Sequence, residues 1–334
     1  KDINPDIFGS MIQAVVNPEE RANQGMHYTS VPNIMKVINP LFLDELREEY
    51  KKLEEQQKQL QQQLDLGALK QKDYCNACAP IEKKCRQLLL RISKMKFFDP
   101  ACGSGNFLII TYKSLRLLEM DILKVIRQCK PGQQELNFID GSCITLKQFY
   151  GIELLDFPHE VAMLSLWLAE HQMNRKFYDE FKVNTRALPL HNITQIVCGN
   201  ACRINWNEVC PHEPEEEVFV FGNPPYLGSK LQSKEQKKDI EFVCKNKNRY
   251  KDLDYISCWF ILACKYINST FIKTAFVTTN SITQGEQVPM LWSLIFQHNI
   301  EISFAHTSFK WSNNAKNKAG VSCVIIGLYK KRLE

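Results

Sequence analysis

No long apolar run occurs in this sequence: the longest, CWFILAC at 258–264, has seven residues, against the roughly 20 needed to cross a bilayer. Nor does a charged-apolar-small leader open it, so the expected setting is the cytoplasm. The pair CNAC at Cys75 and Cys78 lacks a facing second pair. Cys85 adds only a third thiol, and Cys198, Cys202 and Cys210 are as incomplete, whereas a structural zinc needs four ligands. No metal is therefore expected, and these cysteines read as helix-face residues. Thirteen cysteines is an odd count, scattered through apolar segments such as SCVIIGL, which suits reduced thiols better than a disulfide framework. The pattern GxxxxGK[ST] is missing. The loop ACGSGN has two glycines where dinucleotide binders show three, which argues against a phosphate cradle.

The excess of one charge over the other is also small, and a net +5 over 334 residues does not by itself indicate nucleic acid. Its distribution is uneven. Between Gly228 and Asp254, eight Lys or Arg accompany five Asp or Glu, which fits a solvated loop and helix as well as a surface for phosphates. With 44% hydrophobic and 24% charged residues, the chain has the composition of a packed globular protein. Its opening on Lys1, without Met, reads as an excised piece of a longer one.

Helical spacing dominates the first third. From Val31 to about Leu64, Ser30 is a suitable N-cap, Pro32 fits the first turn, and Leu46, Leu53 and Leu60 recur at heptad spacing. The Gln-rich EEQQKQLQQQLD is then the polar face of a long helix interrupted near Gly67, and a second helix is expected over about 78–94. Beyond it, short apolar runs alternate with helical patterns. Strands are expected near 95–99, 147–153, 193–199, 217–222 and 274–279, and helices near 106–129, 157–175, 253–268 and 287–297. Such alternation predicts a mostly parallel sheet covered on both faces. Two further strands, near 299–306 and 321–329, have no helix pattern between them and are expected as an antiparallel pair at one edge.

Reactive chemistry collects at the ends of these strands. In KMKFFDPACGSGNFLI, a strand, a glycine turn and a helix follow in order. Gly103 and Gly105 let the backbone approach a bound molecule there, although two glycines alone are equally a tight turn. The second strand ends in YGIELLD, where Glu153 can accept from two ribose hydroxyls or be a plain surface acid. The third ends in VCGNACRINW, and the amide of Asn200 can both accept from and donate to an adenine edge. The fourth ends in VFGNPPYLG. Pro224 and Pro225 fix the backbone and carry no N–H, so the Pro224 carbonyl and the Asn223 side-chain oxygen can face inward as acceptors. Two acceptors suit an exocyclic amino group, whose nitrogen loses conjugation and turns tetrahedral as it is methylated; acceptors set for that geometry favour the transition state. Tyr226 can stack on the ring that carries the amine.

DPACGSGNF followed by NPPY resembles the gamma-group amino DNA methyltransferases, which use S-adenosylmethionine and make N6-methyladenine. The likeness extends to GMHYTSVPNIMKVINPLF (25–42), similar to the family segment that helps hold the methionine end of the cofactor, with Tyr28, Thr29 and the Ser30-capped helix start in matching positions. By the same resemblance, Asp99, Ala101, Cys102, Gly103, Gly105 and Asn106 are implied as the cofactor loop, Glu153 as the ribose acid and Asn200 as the adenine contact. Asn223, Pro224, Pro225 and Tyr226 are implied as the catalytic set, with Asn223 also beside the cofactor. Residue 200 is more often Asp in the family. Only 22 residues separate Asn200 from Asn223, so a DNA-reading domain is expected after the core, the gamma arrangement. NPEERANQGMHYTS and FAHTSFKWSNNAKNKAGVSCVIIGLY are similar to the large single-chain restriction-modification proteins of type IIL. In those, a nuclease domain and helical spacer precede the methyltransferase and a recognition domain follows.

The resemblance implies a bacterial cytoplasmic protein whose partners are double-stranded DNA with a flipped adenine, and nuclease and target-recognition domains elsewhere on the full-length chain. Lys230 and its basic segment would then lie at the mouth of the site, against phosphates of the distorted strand. Phe309 and Trp311 either wall the base pocket or pack in the core. The expected fold is α/β: a Rossmann-like class I S-adenosylmethionine-dependent methyltransferase sheet with an added N-terminal helical region. Residues 1–94 form that region, including segment 25–42, and residues 95–334 the catalytic core. Cytosine-N4 DNA methylation and protein glutamine-N5 methylation present a nitrogen of the same geometry and stand as alternatives, as does a non-catalytic DNA-binding subunit.

Overall fold

Phe97 and Phe98 are adjacent in the chain, fully buried, and belong to separate cores on the two sides of one sheet, because successive side chains of a strand alternate. The structure, a computed structural model, describes residues 29–130, 141–183, 195–245, 250–310 and 322–331. Tyr28 and Trp311, both expected at the site, lie outside the described residues. The strands are β1 (Lys96–Asp99), β2 (Phe149–Glu153), β3 (Gln195–Cys198), β4 (Val218–Gly222), β5 (Ile272–Thr279), β6 (Ile300–Lys310) and β7 (Ser322–Lys330). They form a seven-stranded sheet in the order β3-β2-β1-β4-β5-β7-β6. The first five pair in parallel, whereas β7 runs antiparallel between β5 and β6. This is the Rossmann-like class I arrangement, with its antiparallel pair at one edge.

One face is covered by α1 (Val31–Ile38), α2 (Asp44–Asp65), α3 (Gln71–Lys94), α4 (Asn106–Cys129) and α5 (Asp156–Phe181). The other carries α6 (Lys234–Cys244) and α7 (Ser257–Tyr266). An aromatic ladder crosses the sheet on the first face. Phe97 pairs in register with Phe149 and Phe219, and its ring stacks on theirs at 5.1 and 5.9 Å. Phe42, from the turn after α1, seats its ring 4.8 Å from Phe219 and 5.2 Å from Phe97. The helical region before β1 therefore shares the core of the sheet, and each buried phenylalanine contributes about 1.5–3 kcal/mol.

Three helices differ from their expected outlines. The helix expected over Val31–Leu64 is divided by a π turn at Asn39–Leu43, because Pro40 supplies no N–H to the α ladder. Ser30 is the N-cap position, but its hydroxyl makes no capping bond. The second helix starts at Gln71, earlier than expected, and runs through Pro80. Pro80 faces water, where the carbonyl it leaves unpaired is solvated, and the added turns are anchored by Tyr74. That hydroxyl donates to the Gln128 carbonyl and accepts from Gln57 Nε2, both at 3.0 Å. Cys78 and Cys85 are buried on this helix, as helix-face thiols. Among the described residues, no helix is long and apolar enough to cross a membrane.

Candidate active site

The carboxyl ends of β1, β2, β3 and β4 lie side by side, and each presents a polar residue. Asp99 ends β1 at 1% exposure, and its Oδ1 accepts the Ala101 N–H at 3.0 Å. Gly222 ends β4 against it: a Cβ added there would collide with the Asp99 carboxylate. The strand before the glycine loop and the NPPY strand can thus lie close at their tips because residue 222 has no side chain. Burial pushes the Asp99 carboxyl up to about 8, opposed by the Ala101 N–H and aided by the charge of Glu153.

Glu153 ends β2 and ties two loops together. Its Oε2 accepts the Gly103 N–H at 2.9 Å and its Oε1 the Leu155 N–H at 3.0 Å. Burial raises its pKa against these donors. Each oxygen retains acceptor capacity for a hydroxyl. Gly103 and Gly105 have φ of 56° and 83°, in the left-handed region. Their surroundings differ. A Cβ at Gly103 meets nothing within 4 Å, whereas one at Gly105 sits 3.3 Å from the Ala162 Cβ on α5. Only Gly103 borders open space, and Gly105 allows the start of α4 to pack on α5. Ala101 is half-buried beside them. Cys102 is buried under Gly151 of β2, and its thiol pKa is raised well above the ordinary value by burial, which leaves it unsuited as a nucleophile. Asn106 opens α4 with its Oδ1 buried and without a hydrogen-bond partner among the described residues.

Asn223 follows β4 directly. Its Nδ2 donates to the hydroxyl of Thr29, itself 3% exposed just ahead of α1, at 3.3 Å. Its Oδ1 is buried and has no partner among the described residues. Pro224 is buried, and Pro225 and Tyr226 are half-buried. Tyr226 packs against both cores, its hydroxyl 3.8 Å from Cys323 Sγ on β7, and burial raises its pKa. The next peptide is braced on both sides. Leu227 N–H donates to Asp254 Oδ1 at 2.9 Å, and Leu227 C=O accepts Gln232 Nε2 at 2.8 Å and Tyr255 N–H at 3.0 Å.

Sequence reasoning missed Gln232, Asp239 and Asp254, which turn inward from the segment it read as basic surface. Lys230, Lys234, Lys237 and Lys238 are exposed on its outside. Asp239 had a signal: it lies on the helix face of Ile240, Val243 and Cys244, all buried, so its carboxylate had to find donors inside. Asn200, two residues past β3, gives its Nδ2 to Asp239 Oδ2 at 2.9 Å. Phe309 on β6 packs against the core that holds α1, with Lys36 Nζ 4.3 Å from its ring centroid.

The family model described as MmeI, DNA-methyltransferase domain, matches residues 46–334. DNA methyltransferase A of Bacillus subtilis (strain 168) is 53% identical over 328 residues, 97% of this chain and 34% of that protein. A putative type II restriction enzyme and methyltransferase of Methanocaldococcus jannaschii is 26% identical over 179 residues, 50% of this chain and 14% of its own length. Among solved structures, the type IIL restriction-modification enzyme MmeI in complex with DNA superposes with a TM-score of 0.84 at 40% identity, over 99% of this chain and 41% of that one. The chain therefore spans less than half the length of these relatives, and the type IIL resemblance of its flanking segments holds. It belongs to the MmeI DNA-methyltransferase domain family.

Proposed function

We propose that this chain is the catalytic part of a site-specific DNA methyltransferase of a restriction-modification system, acting with S-adenosylmethionine on N6 of adenine. The observation that carries the proposal is the Asn223 Oδ1, a buried acceptor at a strand tip without a partner among the described residues, on an amide whose other end is held by Thr29. A buried acceptor left unmade costs about 1–3 kcal/mol, and an exocyclic amino group entering the site relieves it.

The residues at the strand tips fit the cofactor. Gly103 borders open space, Glu153 keeps lone pairs for a ribose, and Asn106 Oδ1 is a second buried acceptor without a partner among the described residues. When bound, S-adenosylmethionine supplies an electrophilic methyl whose leaving group is a neutral thioether. Thr29 and the start of α1 lie toward its methionine end, and Asn200 toward its adenine. Asn223 Oδ1 and the Pro224 carbonyl accept from the target amino group, favouring the tetrahedral nitrogen over the planar one. Tyr226 stacks on the extruded base, and the exposed lysines from Lys230 to Lys238 meet phosphate. The N-terminal region, residues 1–94, and the core, residues 95–334, work as one catalytic unit in a bacterial cytoplasm. Nuclease and target recognition lie elsewhere on the full-length protein. The DNA methyltransferase relatives favour DNA over a glutamine side chain, and the complete NPPY favours adenine over cytosine.

The test combines calorimetry with S-adenosylmethionine and mass spectrometry of nucleosides from methylated DNA. The wild type is expected to bind the cofactor and yield N6-methyladenine. Asn223→Ala should keep binding within severalfold and lose transfer by about a hundredfold or more, the scale of one transition-state hydrogen bond. N4-methylcytosine as product would overturn the target base, and a folded wild type that binds no cofactor would overturn the function.

A further inference from the structure

The side chain of Asn200 is bonded on two sides. Its Oδ1 accepts the Cys202 N–H at 2.8 Å, and its Nδ2 donates to Asp239 Oδ2 at 2.9 Å. Asp239, on α6, is 5% exposed. Its Oδ1 accepts Arg203 Nε at 2.7 Å, and its Oδ2 also accepts the Tyr255 hydroxyl at 3.0 Å. A carboxylate only accepts and a backbone N–H only donates, so the two contacts agree on which end of the Asn200 amide is which. An amide has two lone pairs and two N–H groups. With one of each engaged, one acceptor and one donor are left on a half-buried side chain at the strand tip. That pair complements an adenine edge, which offers an amino donor beside a ring-nitrogen acceptor.

An aspartate at 200 would offer acceptors only. It would also set two carboxylates across the present 2.9 Å contact, forcing a proton onto one of them. The amide at 200 and the acid at 239 thus require one another.

We propose that Asp239 is the positioning residue for the adenine end of the cofactor site, holding the Asn200 amide so that its remaining acceptor and donor read the adenine amino group and ring nitrogen. The inference rests on the reading of this pocket as one for S-adenosylmethionine. It also gives α6 two faces with different work: lysines outside, and inside the acid that sets cofactor recognition.

Calorimetry on the intact protein tests it with two probes, S-adenosylhomocysteine and its inosine counterpart, in which a carbonyl replaces the amino group and the ring nitrogen becomes a donor. The wild type should prefer the adenosyl form by about tenfold or more, the effect of mismatched hydrogen-bonding groups in a site. In Asp239→Asn the neighbour can accept or donate, so only the Cys202 N–H still opposes turning over of the Asn200 amide, and the preference should fall severalfold through a gain in inosyl binding. Asn200→Asp should lose adenosyl binding about tenfold, and Asn200→Asp with Asp239→Asn, which removes the clash of two carboxylates but not the lack of a donor to the ring nitrogen, should recover part of that loss without the adenosyl preference. An unchanged preference in Asp239→Asn, or no recovery in the double variant, overturns the proposal; the double variant decides if the single one does not fold. Equal binding of both probes by the wild type removes adenine reading from Asn200 but leaves the cofactor in place, whereas a folded wild type that binds neither removes the cofactor itself.

Discussion

Asn223 and Thr29 are 194 residues apart in the chain, yet the Asn223 Nδ2 donates to the Thr29 hydroxyl at 3.3 Å. This bond decides which atom of the amide faces the site. With Nδ2 turned to Thr29, Oδ1 is left as the buried acceptor, and the segment before α1 orients the residue after β4. Thr29→Val keeps the shape and removes the acceptor, at a cost of about 1–3 kcal/mol for the stranded Nδ2. Single-turnover methyl transfer at saturating cofactor should slow about ten- to a hundredfold, and Thr29→Ser should restore it. A variant whose cofactor affinity drops while its saturated rate is unchanged would show that Thr29 binds cofactor and does not orient Asn223.

Asp99 makes stability depend on pH in an unusual direction. Its folded-state pKa is about 8 against an ordinary value of 3.8, so between these values the folded chain holds a proton that the unfolded chain has released. Its contribution to stability is therefore full below about pH 4 and is lost as pH rises through about 8. Asp99→Asn keeps an acceptor for the Ala101 N–H and cannot ionise. In thermal melts without cofactor, the wild type should lose stability relative to the variant from pH 5 to pH 8; parallel profiles would mean that Asp99 is ionised throughout.

Glycine positions that look alike in sequence should respond differently. Gly103→Ala adds a side chain in open space and carries only left-handed strain, about 1–2 kcal/mol. Gly105→Ala carries similar strain and presses on Ala162, and Gly222→Ala runs into Asp99, each adding about 1–3 kcal/mol of overpacking. Urea midpoints should rank Gly103→Ala as the mildest of the three, and a Gly105→Ala protein as stable as Gly103→Ala would contradict the packing role.

The parts of this protein legible in its sequence are those set by local rules. A short apolar run such as Phe97 and Phe98 marks a strand buried on both faces whatever lies beyond it, and β1 to β4 each carry a polar residue within two residues of their ends. The illegible parts depend on a partner from far along the chain. Nothing near Gln232 or Asp254 announces that both brace Leu227, and nothing near Gly105 announces Ala162. Two prolines depart from what the spacing around them predicts. Pro40 divides a helix whose heptad spacing looked continuous, and Pro80, acceptable in a first turn, sits mid-helix because buried Tyr74 holds the turns before it.

Asp254 gives the sharpest test of the braced loop. It is buried, its Oδ1 accepts the N–H groups of Leu227 at 2.9 Å and Ile256 at 3.3 Å, and its Oδ2 accepts the Ser281 hydroxyl at 3.4 Å. Asp254→Ala strands the two N–H groups, each costing about 1–3 kcal/mol, less than additively because they share one carboxylate. Because Leu227 follows Tyr226, the loss should loosen the Tyr226 ring and the Pro224 carbonyl together. Urea unfolding should shift to lower denaturant, saturated transfer should fall by about tenfold or more, and S-adenosylmethionine affinity should hold within severalfold. Asp254→Asn can keep an oxygen on Leu227 and present its amide nitrogen to Ser281, whose hydroxyl can accept, and should recover most of both losses. An Asp254→Ala protein that transfers at the wild-type rate once saturated, however unstable, would show that the NPPY loop keeps its shape without this brace.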